Sequence, residues 1–306
     1  MDRFLIVRFS AIGDCVMAAY IATAIRSKIR SCDLTWAVET RCAPVLDSSR
    51  LLTRICDFPR DEWRKRRWSP QTWRAQLARF SELRKHRYDF GMDLQGHSKT
   101  AVCLRIARPA KRIAAFATDN LAGKLNPLVK GDPDEVHRVE RMLAAAQTFG
   151  DFSLPTRPIM PDPIPIDVPL DKPLATISTG AGAKIKQYSH WEPVATDLLR
   201  KGFNVMFLGA QPDPRIQVPG AIDRVAQFSL AETMSAVARS RVHLAADTGT
   251  GHMAAAYGVP FVAVFGPTNP KLYRPYSENG VVLRNSNDPN SVQPNEILAA
   301  VEGLIG

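Results

Sequence analysis

The 306-residue chain lacks most of the features that settle a function at once. No uncharged apolar run reaches the roughly 18 residues of a membrane-spanning helix, so no such helix is expected. The mostly apolar stretch 15–25 directly follows Asp14 and is closed by Arg26, with no cleavage pattern, which speaks against a signal peptide. Cysteines are few and odd in number: Cys15, Cys32, Cys42, Cys56 and Cys103, all in the first half and without C-x-x-C spacing. That distribution speaks against a zinc knuckle and a disulfide framework, and points to a reducing, cytoplasmic location. Both familiar phosphate fingerprints, the P-loop and G-x-G-x-x-G, are missing.

What is present begins with a lopsided charge. The net +10 resides in the first half, where residues 1–150 hold 27 Lys/Arg against 16 Asp/Glu; residues 151–306 hold 13 against 14. An acidic partner is therefore expected on the first half: nucleic acid, an anionic membrane surface or a phosphorylated substrate. The densest basic run, DEWRKRRWSPQTW (61–73), is interleaved with Trp63, Trp68 and Trp73. By composition it is a solvated helix face or a nucleic-acid surface, but no nucleic-acid-binding motif accompanies it.

Apolar strand-like runs alternate with helical periodicities. RFLIVRF, LTWAV (34–38) and YDFGMDLQG (88–96) predict strands in the first half, with a helix from about Cys15 and another over 137–150. Seven prolines between Pro155 and Pro173 exclude a helix or a central strand there and predict a linker. The pattern then restarts with LATIS (174–178), a helix over 190–202, FNVMFLG (203–209), a helix over 229–240 and a closing helix from Pro294. The expected organisation is two α/β domains, 1–153 and 174–306, joined by a linker over 154–173. Ligands of such domains bind at the carboxyl ends of parallel strands.

Two turns draw chemical interest on these grounds. SAIGD (10–14) follows the first strand and precedes the first helix, so Asp14 is either a helix cap beside a turn glycine, Gly13, or a general base. DTGTGH (247–252) separates the apolar runs VHLAA and VPFVAVFG; it is a helix cap or a phosphate cradle built from backbone N–H groups and the helix dipole.

S-x-x-G-D after the first strand, LGAQPD, FSLAE, DTGTGH and FGPTNP, in this order, resemble glycosyltransferase family 9, the ADP-heptose:lipopolysaccharide heptosyltransferases. DLQGHSKTA, HRVER and HWEP are weaker echoes, and the resemblance spans nearly the whole chain. It implies an α/β GT-B fold, two Rossmann-like domains with parallel sheets facing a central cleft, the acceptor on the first and the nucleotide sugar mainly on the second. It implies an inverting transfer of heptose from ADP-heptose to the lipopolysaccharide inner core, without metal or other cofactor. Asp14 matches the catalytic aspartate that deprotonates the acceptor hydroxyl.

On the donor side the resemblance implies Gly13, the N–H groups of Thr248 and Gly249 on the diphosphate with Asp247 bracing the turn, and Ser178, Thr179 and Gly180 facing the same crevice; His252 either touches phosphate or satisfies the backbone. It puts Asp213 on the ribose hydroxyls and Phe228 beside the adenine. Many family members carry a lysine two residues before the tryptophan of the HWEP-like segment. Here that position is Ser189, and Lys184 or Lys186 is the candidate substitute. Arg64, Lys65, Arg66, Arg67, Gln95 and Lys99 are the implied acceptor side, facing an acidic glycolipid, with the tryptophans on sugars or at the membrane interface. Arg138 and Arg141 of HRVER are secondary candidates. The resemblance thus implies a monomer peripherally associated with the cytoplasmic face of the inner membrane, with no nucleic-acid partner. The alternatives are a relative using another nucleotide sugar or acceptor, and a nucleotide-sugar-binding protein without transfer activity.

Overall fold

A computed structural model describes residues 1–46, 50–168 and 171–306. The chain divides into two compact units, Met1–Pro161 and Asp162–Gly306. The division falls inside the proline-rich segment, of which Pro169 and Leu170 lie outside the described residues. Both halves of that segment are tied down. The Ile159 amide donates to Thr23 Oγ1 at 2.8 Å in the first unit, and the Ile164 amide donates to Ser235 Oγ at 2.9 Å in the second.

The first unit contains strands β1 (Arg3–Val7), β2 (Asp33–Glu39), β3 (Arg54–Phe58), β4 (Phe90–Asp93) and β5 (Lys111–Ala114). Its helices are α1 (Ile12–Lys28), α2 (Arg60–Lys65), α3 (Pro70–Lys85), α4 (Ser98–Ala107), α5 (Asn120–Leu125) and α6 (Arg138–Gln147). The sheet is parallel, in the order β3-β2-β1-β4-β5. A parallel sheet is covered on both faces, which is why β1 reads as an unbroken apolar run and not as an alternation. Phe4 to Val7 are all buried. α1 is buried along Cys15–Ile25, which explains an apolar stretch long enough to imitate a leader.

The second unit contains β6 (Leu174–Ser178), β7 (Asn204–Leu208), β8 (Ile222–Asp223), β9 (Val242–Ala246), β10 (Phe261–Val264) and β11 (Gly280–Leu283). Helices α7 (Trp191–Arg200), α8 (Leu230–Ala238), α9 (Gly249–Tyr257), α10 (Pro270–Tyr273) and α11 (Pro294–Ile305) pack around it. Its order, β11-β10-β9-β6-β7-β8, is the doubly wound Rossmann arrangement, with the strand order reversing between β6 and β9. The tryptophan of HWEP is a core residue: Trp191 is fully buried and meets Tyr188 edge-on, their ring centres 4.6 Å apart. Among the described residues no helix is long and apolar enough to cross a membrane, and all five cysteines are buried and free.

Candidate active site

In an open α/β sheet the crevice lies where the strand order reverses. In the first unit that point is between β1 and β4, which run in register with Val7 beside Asp93. The turn after β1 carries Asp14 in the first turn of α1. Its Oδ2 accepts from the Ala11 amide at 3.1 Å and pairs with Arg8 Nη2 at 2.6 Å. Arg8 is itself buried, and its Nη1 donates to the Leu94 carbonyl. Both interactions engage Oδ2, so Asp14 is a helix-capping residue and a fixed carboxylate at once. Gly13 is a buried residue within α1, so the turn does not draw on glycine's left-handed freedom at this position.

The loop after β4 braces the same turn. Gln95 Oε1 accepts from the amides of Phe9 at 2.9 Å and Ser10 at 3.4 Å. Asp93 Oδ1 accepts from the amides of Gln95 and Gly96, both at 2.9 Å. Burial pushes the Asp93 carboxyl up to about 6, against the pull of those amides and of Arg8. Gln95, expected on the acceptor side, therefore has its side-chain oxygen committed to the turn that holds Asp14. Arg8 went unnoticed as a site residue because it reads as the tail of an apolar strand.

The basic run divides. Arg64 and Arg67 line a cavity of about 470 Å³ together with Arg60, Lys99 and the rings of Phe9, Phe58, Trp63 and Phe80. Arg60 reaches Glu39 at 2.9 Å, and its guanidinium lies 5.2 Å from the Phe9 ring centre. The positive charge of Arg60, burial and the charge of Arg64 hold the Lys99 ammonium below its ordinary range, as expected where like charges converge. Lys65 and Arg66 line a separate hollow of about 380 Å³ with Ser69, Gln71 and Thr72. Of the HRVER arginines, Arg141 is structural, donating to the carbonyls of Ala115, Val129 and Lys130. Arg138 pairs with Asp134 at 2.9 Å.

In the second unit the reversal lies between β6 and β9. Thr248 is the N-cap of α9 and makes no side-chain cap, its hydroxyl meeting Thr250 Oγ1 at 2.9 Å. The N–H groups at the start of α9 and its dipole thus form an anion-favouring helix end. Asp247 precedes it, and Lys186 Nζ lies 2.8 Å from Asp247 Oδ2. Of the two candidate lysines, Lys186 is the one brought to the glycine turn, whereas Lys184 is exposed. Ser189 points elsewhere: its amide and hydroxyl donate to Asn290 Oδ1 at 2.9 and 2.8 Å. His252 is buried in the first turn of α9.

Ser178, Thr179 and Gly180 leave the carboxyl end of β6, with the Thr179 amide donating to the Leu208 carbonyl at 2.9 Å. Asp213 lies against Gly180 so closely that a Cβ there would fall 2.0 Å from its carboxyl carbon. Its Oδ2 accepts from the Ala210 amide at 2.7 Å. Phe228 precedes the Ser229–Glu232 capping box of α8, half-buried, with the Arg224 guanidinium 5.6 Å from its ring centre. Asp213 and the β6 end are thus neighbours, and the α9 end emerges from the adjacent strand.

The model of the family described as "Glycosyltransferase family 9 (heptosyltransferase)" matches residues 76–298. Lipopolysaccharide heptosyltransferase 1 of Pseudomonas aeruginosa is 26% identical, covering 92% of this chain and 83% of the relative. Lipooligosaccharide heptosyltransferase 2 of Haemophilus ducreyi is 24% identical over 92% and 88%. Among solved structures, E. coli heptosyltransferase WaaC with ADP superposes with a TM-score of 0.83 at 23% identity, covering 99% of both chains. The likeness shows the fold, GT-B.

Proposed function

Because this chain belongs to glycosyltransferase family 9, we propose that it transfers heptose from ADP-heptose to the lipopolysaccharide inner core. The transfer inverts the anomeric centre and needs no metal. The acceptor hydroxyl attacks the anomeric carbon, its proton passes to Asp14, and the bond to the ADP oxygen breaks from the opposite face. Arg8 and the Ala11 amide both hold Asp14 Oδ2, which leaves Oδ1 as the oxygen for the acceptor proton. The developing charge on ADP is met by Lys186 and by the N–H groups of Thr248 and Gly249, preorganised donors at a helix end. Asp213 receives the ribose hydroxyls and Phe228 flanks the base. Arg60, Arg64, Arg67 and Lys99 hold the anionic groups of a glycolipid acceptor, with the protein in peripheral contact with the cytoplasmic face of the inner membrane.

The observation that carries the donor half of this reading is the Lys186–Asp247 pair at the mouth of α9. Lys186, balanced by Asp247 until an anion competes for it, is the cation beside this helix end, whereas Ser189 is committed to Asn290. The test is a binding screen of ADP-, UDP- and GDP-sugars, followed by nucleotide release with Kdo-lipid A and heptosylated core as acceptors. ADP-heptose binding and acceptor-dependent ADP release are expected. Preference for another nucleotide would overturn the donor assignment, and binding without release would make the chain a nucleotide-sugar-binding protein.

A further inference from the structure

The segment from α2 through α3 also carries an exposed apolar surface. Trp68 is 77% exposed, Trp73 57% and Leu77 69%. Large apolar side chains are normal on a surface singly; three on one short segment are not. Trp73 and Leu77 stand one turn apart on α3, and the Trp73 indole donates to the Arg67 carbonyl at 2.8 Å, which holds it against the turn bearing Trp68. The Arg67 guanidinium lies 5.1 Å from the Trp68 ring centre. Of the sixteen residues of α3 only Thr72 and Leu83 are buried, so the helix presents most of its circumference to its surroundings. Lys65, Arg66, Arg67 and Arg74 are exposed around the same patch. Residues 60–87 hold ten Lys/Arg against three Asp/Glu.

We propose that Trp68, Trp73 and Leu77 dock the first unit on an anionic phospholipid bilayer, a surface assignment that rests on the reading of the acceptor as a membrane-anchored glycolipid. Indole rings settle at the headgroup level, where one edge is wet and the rest apolar, and Leu77 reaches the acyl boundary. The surrounding cations meet the negative leaflet. Charge argues against the other occupants. A second copy seated on this face would bring two strongly basic segments together. Nucleic acid suits stacking aromatics but leaves an aliphatic Leu77 without a partner. Docking here puts Arg64 and Arg67, which line the basic cavity, at the membrane surface, where the headgroup of a lipid-anchored sugar is presented.

The test is co-sedimentation of the full chain with phosphatidylglycerol/phosphatidylcholine vesicles and with pure phosphatidylcholine vesicles, at low and high salt. Trp36 and Trp191 are fully buried, so a blue shift of tryptophan emission on vesicles reports chiefly on the exposed indoles. Binding to the anionic vesicles at least tenfold tighter than to the neutral ones, weakened by salt and accompanied by the blue shift, is expected. The triple substitution Trp68→Ser, Trp73→Ser, Leu77→Ser should weaken it at least tenfold yet leave the affinity for the nucleotide sugar unchanged. Trp68→Phe with Trp73→Phe should retain binding. Equal vesicle binding by the triple variant, or none by the wild type, overturns the proposal. So does a concentration-dependent dimer that the triple variant loses. Patch-dependent vesicle binding by a protein that transfers no sugar supports the docking surface and refutes the functional reading instead.

Discussion

Arg8 Nη2 stands 2.6 Å from Asp14 Oδ2, with the guanidinium anchored to the Leu94 carbonyl behind it. A buried arginine that holds one carboxylate oxygen orients the other, so the two residues act as a unit. Asp14→Asn should leave ADP-sugar affinity unchanged and lower kcat by a factor of about 10² to 10⁴, the usual worth of a general base. Arg8→Ala should lower kcat by roughly tenfold or more, with Arg8→Lys recovering part of it. Steady-state kinetics beside donor titration checks both; near-normal turnover in the asparagine variant would refute the base assignment.

Lys186 is expected to replace the phosphate contact that Ser189 does not make. Lys186→Met should raise the ADP-sugar Kd by about ten- to a hundredfold, corresponding to about 1.5–3 kcal/mol for a hydrogen bond to a charged group. Ser189→Ala should change it little, because Ser189 serves Asn290. Isothermal titration with ADP separates the two.

Gly180→Ala tests Asp213 without altering its charge. The added methyl would sit 2.0 Å from the Asp213 carboxyl carbon and must push it away. ADP affinity should fall to the same degree as in Asp213→Ala, whereas adding the methyl to Asp213→Ala should cost little more, the signature of coupled sites. Additive losses in this double-mutant cycle would show that Gly180 acts on its own.

The two hollows of the basic segment should separate genetically. Replacing Arg60, Arg64 and Arg67 with Gln should raise the acceptor KM by tenfold or more at constant ADP affinity. Replacing Lys65 and Arg66 should leave the KM for a deacylated acceptor within about twofold, the range of exposed charge pairs. A large loss of ADP affinity in the triple variant would assign the run to the donor.

Asp93 predicts a pH-dependent stability. Its carboxyl is raised to about 6 in the folded chain from an ordinary 3.8. The folded state therefore holds the proton more tightly, and this residue's contribution is fully favourable below the unfolded value. It is lost as pH rises through the folded one. The loss amounts to about 3 kcal/mol between pH 3.8 and 6 and is complete above it. In urea unfolding across pH 4–7 the wild type should lose stability relative to Asp93→Asn as pH rises, by an amount approaching this difference, and parallel curves would contradict it.

The sequence by itself determined the alternation of strands and helices and where turns follow buried strands. Strands buried on both faces are largely apolar: FLIV is unbroken, whereas LATIS and VHLAA carry Thr176 and His243, which bond each other at 2.8 Å inside the sheet. The turns that follow such strands are the ones facing a crevice in this class of sheet. β3, β5, β8 and β11 escaped because they are short or begin with charged residues, as in RICDF and KRIA. Only the tertiary structure decided which side chains meet. Gln95 braces a turn 85 and 86 residues away because β4 lies beside β1. Lys186, and not Lys184 or Ser189, reaches Asp247 because β6 and β9 are neighbours. The basic run looked uniform, yet folding turned Arg64 and Arg67 toward one cavity and Lys65 and Arg66 toward another. Local pattern records how often a residue is buried, whereas the partner it finds depends on the order in which distant strands are laid side by side.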